Sequence, residues 1–305
     1  MTTILVTGSN GLLGQKIIYA LRGRSDVNVI STSRGDNRMK VKDGYIYSSM
    51  DITDRTSVDR VFEMFRPDVV INTAAMTNVD ACESNKEEAW LLNVQSVEFI
   101  IDACKTHSAH LVHLSTDFVF DGKAGPYIET DQPNPLSFYA HTKYESEKII
   151  EKSGLSAAIL RTIIIYGVID DNSRSNVVLW AINSLKNKKA ITVINDQFRS
   201  PTFAEDLADA CISAALIRAT GIYHVSGREL MNILDIVKIV ADFFELDQSY
   251  IISTSTADLK QPAARPPVTG FIIDKAVKEL GFKPHTFLEG LAYLKNQLKL
   301  VAIKN

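Results

Sequence analysis

The chain has 305 residues, of which 46% are hydrophobic and 23% are charged, and its formal net charge is −3. This length predicts one large or two modest globular domains, and the charge balance argues against nucleic acid or an acidic membrane as a partner. Three scattered cysteines argue against a disulfide framework or a thiolate zinc site and favour a reducing cytoplasm. No apolar run approaches the ~18 residues of a membrane span, and no basic leader precedes the first predicted strand.

A glycine-rich turn follows the first predicted strand. The β-branched run at residues 3–6 predicts a buried strand, and apolar residues at helical spacing over 12–21 predict a helix. Gly8, Gly11 and Gly14 lie between and within them. Such a turn places backbone N–H groups and a helix N-terminus where a pyrophosphate binds. The spacing alone also occurs in ordinary turns, but its place between strand and helix favours a dinucleotide site.

The second predicted strand, residues 27–32, indicates which dinucleotide is bound. Folds specific for NAD often carry an acidic residue at the end of this strand, to bind the adenosine ribose. Here the strand ends in Ser33 and Arg34. A guanidinium suits the additional phosphate of NADP, so NADP(H) is favoured. NAD(H) stays open, because Arg34 is also what a solvated loop would carry.

Strands and helices then alternate up to residue 165. Strands are predicted over 45–47, 68–72, 110–115 and 156–165, and helices over 55–65, 79–107 and 137–154. This alternation predicts an α/β fold, a Rossmann-like doubly wound parallel sheet, as an NAD(P)-binding domain over residues 1–165. Ligands of such sheets lie beyond the carboxyl ends of the strands.

Beyond residue 165 the alternation loosens. Short strands are predicted over 191–193, 221–225 and 250–253, and helices over 176–185, 204–216, 233–244, 274–280 and 288–298. We interpret residues 166–305 as a smaller mixed α/β substrate-binding domain, of which the segment 195–225 could return to the first domain. The carboxylates Asp170 and Asp171 are interpreted as a solvated loop.

Tyr139 and Lys143 are the strongest candidates for chemistry. They lie four residues apart on a predicted helix, so their side chains share one face. An adjacent ammonium lowers the pKa of a phenol, which predicts a tyrosine able to exchange a proton with a substrate oxygen. Ser115 and Thr116 end the preceding strand, where a hydroxyl can bind the same oxygen. Tyr-x-x-x-Lys alone recurs by chance, but after a glycine-rich first turn it is much more specific.

These motifs resemble those of the extended short-chain dehydrogenase/reductase superfamily, and nearly the whole chain resembles its dTDP-4-dehydrorhamnose reductase branch. Besides the glycines and Tyr139–Lys143, the resemblance rests on NTAAMTNVDACE at 72–83, on LSTDFVFDG at 114–122, on 196–202 and on 264–266. It implies NAD(P)H-dependent reduction of C4 in a nucleotide-linked 4-keto-6-deoxy sugar, most simply dTDP-4-dehydrorhamnose. The oligomeric state is not fixed by it, and a homodimer is compatible.

The resemblance also implies residue roles. Tyr139 would protonate the developing alkoxide, Lys143 would hold the cofactor ribose, and Thr116 would orient the carbonyl. The implied cofactor-binding residues are Gly8, Gly11, Leu12, Leu13, Arg34, Asp51, Ile52, Ala74, Ala75, Thr77, Tyr139 and Lys143. The implied substrate-binding residues are Val79, Thr116, Asp117, Phe118, Tyr139 and Ile164.

Four positions depart from the branch. Phe118 replaces a usual tyrosine, and Ile164 replaces a frequent tryptophan, so the identity of the sugar and of the base is open. Lys16 stands where some members carry a glutamate that binds Mg²⁺, so no metal site is predicted. Met76 replaces an aromatic residue. Related 4,6-dehydratases carry Asp–Glu where Asp117–Phe118 stands here, and phenylalanine moves no proton, which argues against dehydration.

Two other functions stay open at this stage. One is an epimerase that keeps its NAD bound. The other is a non-catalytic NADP-binding subunit like the regulatory subunit of methionine adenosyltransferase, which resembles the same branch; the intact Thr116, Tyr139 and Lys143 argue against it. Two further clusters are interpreted as structural. His107, His110 and His113 lie close in sequence, but His110 and His113 point to opposite faces of the predicted strand, which argues against a shared metal. The aromatic pair at 243–244 is interpreted as part of the core.

Overall fold

The computed structural model describes residues 1–170 and 175–303. Its strands are β1 (Thr2–Thr7), β2 (Val27–Ser33), β3 (Ile46–Ser49), β4 (Val69–Asn72), β5 (His110–Thr116), β6 (Ala157–Thr162), β7 (Ile165–Tyr166), β8 (Ile191–Ile194), β9 (Phe198–Arg199), β10 (Thr202–Phe203), β11 (Gly221–His224), β12 (Met231–Asn232) and β13 (Ile251–Thr254). Its α-helices are α1 (Leu12–Leu21), α2 (Arg55–Phe65), α3 (Val79–Ser84), α4 (Lys86–Trp90), α5 (Ser96–His107), α6 (Phe138–Lys152), α7 (Val177–Lys186), α8 (Ala204–Leu216), α9 (Ile233–Phe243), α10 (Thr256–Leu259), α11 (Asp274–Leu280) and α12 (Phe287–Ile303).

Seven strands form one parallel sheet in the order β11-β6-β5-β4-β1-β2-β3. Apolar side chains from both faces of this sheet are buried in two separate clusters. One cluster contains α1 and α8, and the other contains α2, α5 and α6. The predicted doubly wound α/β sheet is confirmed. The strand order reverses between β1 and β4, where ligands bind in sheets of this kind.

The chain returns to this sheet after leaving it at β6. Helix α8 packs against α1, and β11 pairs in parallel with β6, with Ile222 opposite Ile159. Residues 204–224 therefore complete the sheet, with β11 as its outer strand beside β6.

The remaining elements surround a third cluster. Helices α7, α9 and α12 enclose apolar residues that include Ile182, Val237 and Leu291, all at most 2% exposed. Strand β13 pairs in parallel with β8 at the edge of this cluster. Strands β7 and β10 pair in parallel and contribute Tyr166 and Phe203 to this cluster. Strands β9 and β12 form a short antiparallel pair.

Helix ends follow the local sequence closely. Helix α2 begins after Asp54, whose carboxylate accepts a hydrogen bond from the N–H of Thr56. Helix α6 begins after Ser137, whose hydroxyl accepts from the N–H of Ala140. Gly154, with φ of +70°, follows the end of α6.

Two predicted elements differ from the structure. The helix predicted over 79–107 is divided at Asn85, and Leu91–Gln95 forms a π-helical turn. The strand predicted over 156–165 ends at Thr162, because the next residues turn toward β10: Thr202 donates from its hydroxyl to the carbonyl of Ile163 at 2.6 Å. Among the described residues, no helix is both long and apolar enough to cross a membrane.

Candidate active site

The glycine turn after β1 is packed tightly against the end of β4. Gly8 has φ of +66°, and a Cβ on it would lie 2.8 Å from the nitrogen of Ala74. A Cβ on Gly14 would lie 2.5 Å from the carbonyl oxygen of Gly8, and Gly11 donates its N–H to that oxygen at 2.8 Å. Any side chain would open the turn. The N-terminus of α1, where Gly11 has no side chain to cap it, is thus free to receive an anion.

A continuous cleft runs along the carboxyl ends of the strands. It consists of two cavities of about 360 and 570 Å³, which share five lining residues: Gly11, Thr73, Ala74, Ala75 and Thr77. All the cofactor-binding residues implied by the resemblance line one cavity or both: Gly8, Gly11, Leu12, Leu13, Arg34, Asp51, Ile52, Ala74, Ala75, Thr77, Tyr139 and Lys143. The cleft extends from Arg34 at one end to Tyr139 at the other, past the glycine turn.

Three polar side chains converge at the Tyr139 end of the cleft. Tyr139 and Lys143 lie one turn apart on α6, and Thr116 ends β5. All three are buried, at 9%, 3% and 6% exposure. The Thr116 side chain lies close enough to the phenol of Tyr139 to lower the pKa of that phenol, and Thr116 Oγ1 lies 3.1 Å from Asp117 Oδ1. A carbonyl group placed in this cavity would meet a phenol and a threonine hydroxyl together.

The electrostatics of Tyr139 and Lys143 differ from the sequence prediction. Burial raises the pKa of Tyr139 well above its usual 10, and the Thr116 side chain opposes this only in part. The prediction that Lys143 lowers the pKa of this phenol was wrong, because desolvation dominates. Burial also lowers the pKa of Lys143 from 10.5 to about 8, although Glu147 opposes the change. The phenol is therefore protonated at neutral pH and able to donate.

Of the two hydroxyls that end β5, that of Ser115 is engaged elsewhere, although Ser115 lines the cavity. Its hydroxyl donates to the buried carboxylate of Glu147, which also accepts from Arg161 Nη2 at 2.6 Å. Residues next to each other on a strand point to opposite faces, so Thr116 and Ser115 cannot both bind one oxygen. Thr116 alone keeps that part of the predicted site.

The implied substrate-binding residues fall into two groups. Thr116, Asp117, Tyr139 and Ile164 line the cavity. Val79 and Phe118 instead belong to a cluster beside it that contains Tyr139 and Met76. The ring of Phe118 meets that of Tyr139 edge-on at 6.0 Å. Phe118 thus packs against the ring of Tyr139 and is not among the residues that line the cavity.

Ile164 is held in a strained conformation at the cavity wall. Its φ of +28° lies in the region that β-branched residues avoid. Strain of this kind persists only where the surrounding structure imposes it, and it is frequent at functional sites. Here the carbonyls of Ile163 and Ile164 accept hydrogen bonds from the hydroxyl and the N–H of Thr202.

Asp117 connects the site to the second half of the chain. This buried carboxylate accepts from the hydroxyl of Thr269 and lies 3.6 Å from Arg199 Nε. Burial raises the pKa of Asp117, and the Arg199 guanidinium opposes that shift. The same guanidinium lies 5.5 Å from the centre of the Phe118 ring. The second half therefore reaches the residues that surround Tyr139.

Several other sequence features have structural roles. Lys16 forms an ion pair with Glu205 at 2.8 Å. The rings of Phe243 and Phe244 pack edge-on at the border of the third cluster. Asp170 accepts from the hydroxyl of Tyr19 and from the N–H of Lys40 and is half-buried, so it is not the solvated residue we predicted. Asp171 lies outside the described residues.

Metal binding has no support in residues 1–170 and 175–303, where no group of three or more His, Cys, Asp or Glu side chains is arranged to hold an ion. His110 contacts Ser156, whereas His113 contacts Asn72 and Lys143.

Two residues of the site were not identified from the sequence. Asn93 lies in the π-helical turn, accepts from the N–H of Met76 at 2.8 Å and donates to the hydroxyl of Thr142 at 3.0 Å. It joins the loop after β4 to α6. Arg38 lines the same cavity as Arg34. Its position four residues after Arg34 is the feature of the sequence that could have indicated a second basic residue in this cavity.

Comparison with known proteins identifies the family. The family model described as "RmlD substrate binding domain" matches residues 1–300. The chain belongs to this family. The resemblance found from the motifs is confirmed.

Individual relatives fall into two kinds. A dTDP-4-dehydrorhamnose reductase of Aggregatibacter actinomycetemcomitans is 29% identical over 95% of this chain and 97% of its own length. Methionine adenosyltransferase 2 subunit beta of Xenopus tropicalis is 32% identical over 81% of this chain and 73% of its own length. A solved dTDP-4-dehydrorhamnose reductase of Bacillus anthracis, in complex with NADP, has a TM-score of 0.82 at 25% identity and covers 97% of this chain and all of its own.

Proposed function

We propose that this protein is an NADPH-dependent reductase of the C4 keto group of a nucleotide-linked 4-keto-6-deoxy sugar. The preferred substrate is dTDP-4-dehydrorhamnose, which would yield dTDP-rhamnose, a precursor of cell-surface polysaccharide. The observation that carries this proposal is the convergence of Tyr139, Thr116 and Lys143 at one end of a cleft that begins at the glycine turn. The relatives named as dTDP-4-dehydrorhamnose reductases, one of them solved with NADP, support it.

The cleft offers a group for each part of a dinucleotide. A Cβ at Gly8 or Gly14 would collide with backbone atoms, so the turn leaves its N–H groups close to the cleft, as pyrophosphate binding requires. Arg34 lines the far cavity and would bind the adenosine phosphate. Lys143 would hold the ribose next to Tyr139. When bound, NADPH would supply the hydride.

Three residues of the chain then have separate roles in the protonation of the substrate. Thr116 donates a hydrogen bond that orients the carbonyl oxygen of the substrate. Tyr139 transfers its proton to that oxygen as negative charge develops on it. The raised pKa of Tyr139 suits this direction, since the phenol reaches the reaction protonated. Lys143, whose pKa is lowered to about 8, stabilises the phenolate that remains.

The second half of the chain would select the sugar nucleotide. We propose residues 166–305, apart from the part that completes the sheet, as the substrate-binding unit. Ile164 and Asp117 would line the sugar site. We also place the protein in the cytoplasm, because its three cysteines are all buried and unpaired.

NADPH oxidation tests this function directly. The purified protein is mixed with NADPH and dTDP-4-keto-6-deoxyhexose, and the loss of nicotinamide absorbance is followed. Turnover supports the proposal, and no turnover with any nucleotide keto sugar rejects it. Stoichiometric cofactor in the purified protein, with interconversion of sugars and no net oxidation, would instead favour an epimerase.

A regulatory role is the second candidate, since a methionine adenosyltransferase subunit covers 81% of this chain at 32% identity. The altered positions Phe118 and Ile164 keep this function open. NADP binding without turnover, together with co-purification with a methionine adenosyltransferase, would establish it.

A further inference from the structure

Three polar side chains lie side by side on the three adjacent strands β1, β4 and β5, where β1 and β4 end. Thr7 on β1 lies opposite Asn72 on β4, and Asn72 lies opposite His113 on β5. Thr7 Oγ1 is 2.5 Å from Asn72 Oδ1, and the Asn72 amide nitrogen is 3.1 Å from His113 Nδ1. All three side chains are at most 1% exposed. We name Thr7, Asn72 and His113 the polar ladder.

The ladder ends at the candidate catalytic lysine. His113 Nε2 lies 3.1 Å from Lys143 Nζ and 3.2 Å from the hydroxyl of Ser146, one turn further along α6. Buried polar groups are costly unless each has a partner. A line of them on the face of the sheet that carries Leu5, Val70 and Leu111 of the second apolar cluster is therefore a feature to explain, and its end at Lys143 gives the explanation.

An ammonium group can only donate hydrogen bonds, so it needs an acceptor. Burial, with a further contribution from Lys143, holds the pKa of His113 well below its usual 6.5, so the ring is neutral and one of its nitrogens carries a lone pair. The amide of Asn72 and the hydroxyl of Thr7 can each donate or accept. A lone pair on Nε2 requires the ring proton on Nδ1, so the Asn72 amide must turn over, with its oxygen accepting from Nδ1 and its nitrogen donating to Thr7 Oγ1. The two orientations of an amide have nearly the same shape, and in this one the ladder presents the lone pair on Nε2 to Lys143.

The other end of the ladder is at the glycine turn. Thr7 directly precedes Gly8, its Oγ1 lies 3.3 Å from the N–H of Ala74, and it is fully buried. The ladder is not sealed from the cavity, because Asn72 lines it. It is suited to fixing Lys143 relative to the backbone that surrounds the cofactor.

We propose that His113 is a positioning residue: through the polar ladder it sets the distance between the Lys143 ammonium and the glycine turn. This inference rests on the proposed function, in which Lys143 holds the cofactor ribose and supports Tyr139. The ammonium then has one N–H bound to His113, and its other N–H groups are directed to the cofactor and the phenol.

Two substitutions of similar polarity separate the two ring nitrogens. In His113→Gln the amide reaches the position of Nε2 and can still accept from Lys143. In His113→Asn the amide reaches only the position of Nδ1, so the contact with Asn72 is kept and that with Lys143 is lost. His110→Gln is the matched control, because His110 is buried on the same strand and contacts Ser156 instead.

We expect His113→Asn to lower kcat by about 10²-fold, the loss that a misplacement of about 1 Å can cause, and to weaken NADPH binding. We expect His113→Gln to keep most of both, and the KM for the sugar to change little. Equal kcat in the two variants, or lower kcat in His113→Gln, would overturn the proposal. If His113→Asn does not fold, Asn72→Ser takes its place: reduced kcat supports the ladder, and wild-type kcat overturns it.

NADPH binding keeps this test separate from the proposed function. The dissociation constant is measured from nicotinamide fluorescence with no sugar present. A wild-type protein that binds NADPH but reduces no keto sugar rejects the proposed function alone. The ladder is then judged on binding: weaker NADPH binding in His113→Asn than in His113→Gln supports it, and equal binding overturns it.

Discussion

Replacing Lys143 with methionine removes a buried charge and keeps the length of the side chain. Lys143 is 3% exposed, and burial lowers its pKa from 10.5 to about 8. At about 1.4 kcal/mol per pKa unit, this difference corresponds to about 3 kcal/mol of native-state destabilisation by the charge. We therefore expect the variant to lose activity and to gain stability at pH 7, a trade-off common at active sites.

The dependence on pH isolates the charge from other effects of the substitution. Between pH 8 and 10.5 the unfolded chain keeps the lysine proton and the native protein has released it, so the contribution of Lys143 to wild-type stability rises with pH in this window. In the native protein neither Tyr139, whose pKa is raised, nor His113, whose pKa is lowered, titrates in this window. Their titration in the unfolded chain is the same in both proteins and cancels in the difference between them.

Urea unfolding at several pH values measures the effect. The free energy of unfolding of Lys143→Met, minus that of the wild type, should fall by about 3 kcal/mol from pH 7.5 to pH 10.5. A difference that stays constant over this range would refute the reasoning, because it would mean that Lys143 pays no desolvation cost in the native protein.

Three further substitutions test other parts of the site. Tyr139→Phe should lower kcat by about 10²–10⁴-fold through loss of the acid while the NADPH dissociation constant stays unchanged; unchanged turnover would remove Tyr139 from the mechanism. Arg34→Ala should weaken NADPH binding by about 10–100-fold, the value of a hydrogen bond to a charged group, and NADH binding much less; equal weakening would show that Arg34 ignores the phosphate. Gly8→Ala should abolish NADPH binding, whereas Gly154→Ala should not, since both have φ near +70° but only Gly8 meets backbone atoms. Similar binding in the two variants would show that the tight turn is unnecessary.

Local sequence was sufficient where one physical effect dominates. The sheet followed from the alternation of apolar strands with amphipathic helices, because each pattern can bury its apolar face in only one way. The glycine turn followed from spacing plus position. The starts of the helices predicted at 55 and 137 lie within one residue of those of α2 and α6, where Asp54 and Ser137 cap the N-termini, as such side chains commonly do.

The deviations arise where tertiary contacts override local preference. Ile164 belongs to a β-branched run and should continue a strand, but hydrogen bonds from Thr202 turn the chain and impose a positive φ. The sequence around Asn93 predicts a regular helix, but residues 91–95 form a π-helical turn in which Asn93 contacts Met76 and Thr142. Such contacts join residues far apart in sequence, so they cannot be predicted from the local pattern of a single sequence.

The chemistry was predictable in its residues and not in its electrostatics. Tyr139, Lys143 and Thr116 were identified by spacing and by the family motif. Their pKa values depend on how deeply each group is buried, which spacing does not give. The partners of Ser115 and Lys143, namely Glu147 and His113, were likewise invisible until the sheet and α6 were packed together.

The central claim is that Tyr139 gives its proton to a sugar oxygen that NADPH has reduced. The most direct measurement is the stoichiometry of the reaction with dTDP-4-dehydrorhamnose, following NADPH by absorbance and the sugar nucleotide by chromatography. We predict one dTDP-rhamnose formed for each NADPH oxidised, and neither in Tyr139→Phe beyond a small residual rate. Tight NADPH binding with no oxidation in the presence of this sugar, or of any other nucleotide keto sugar, would contradict the account.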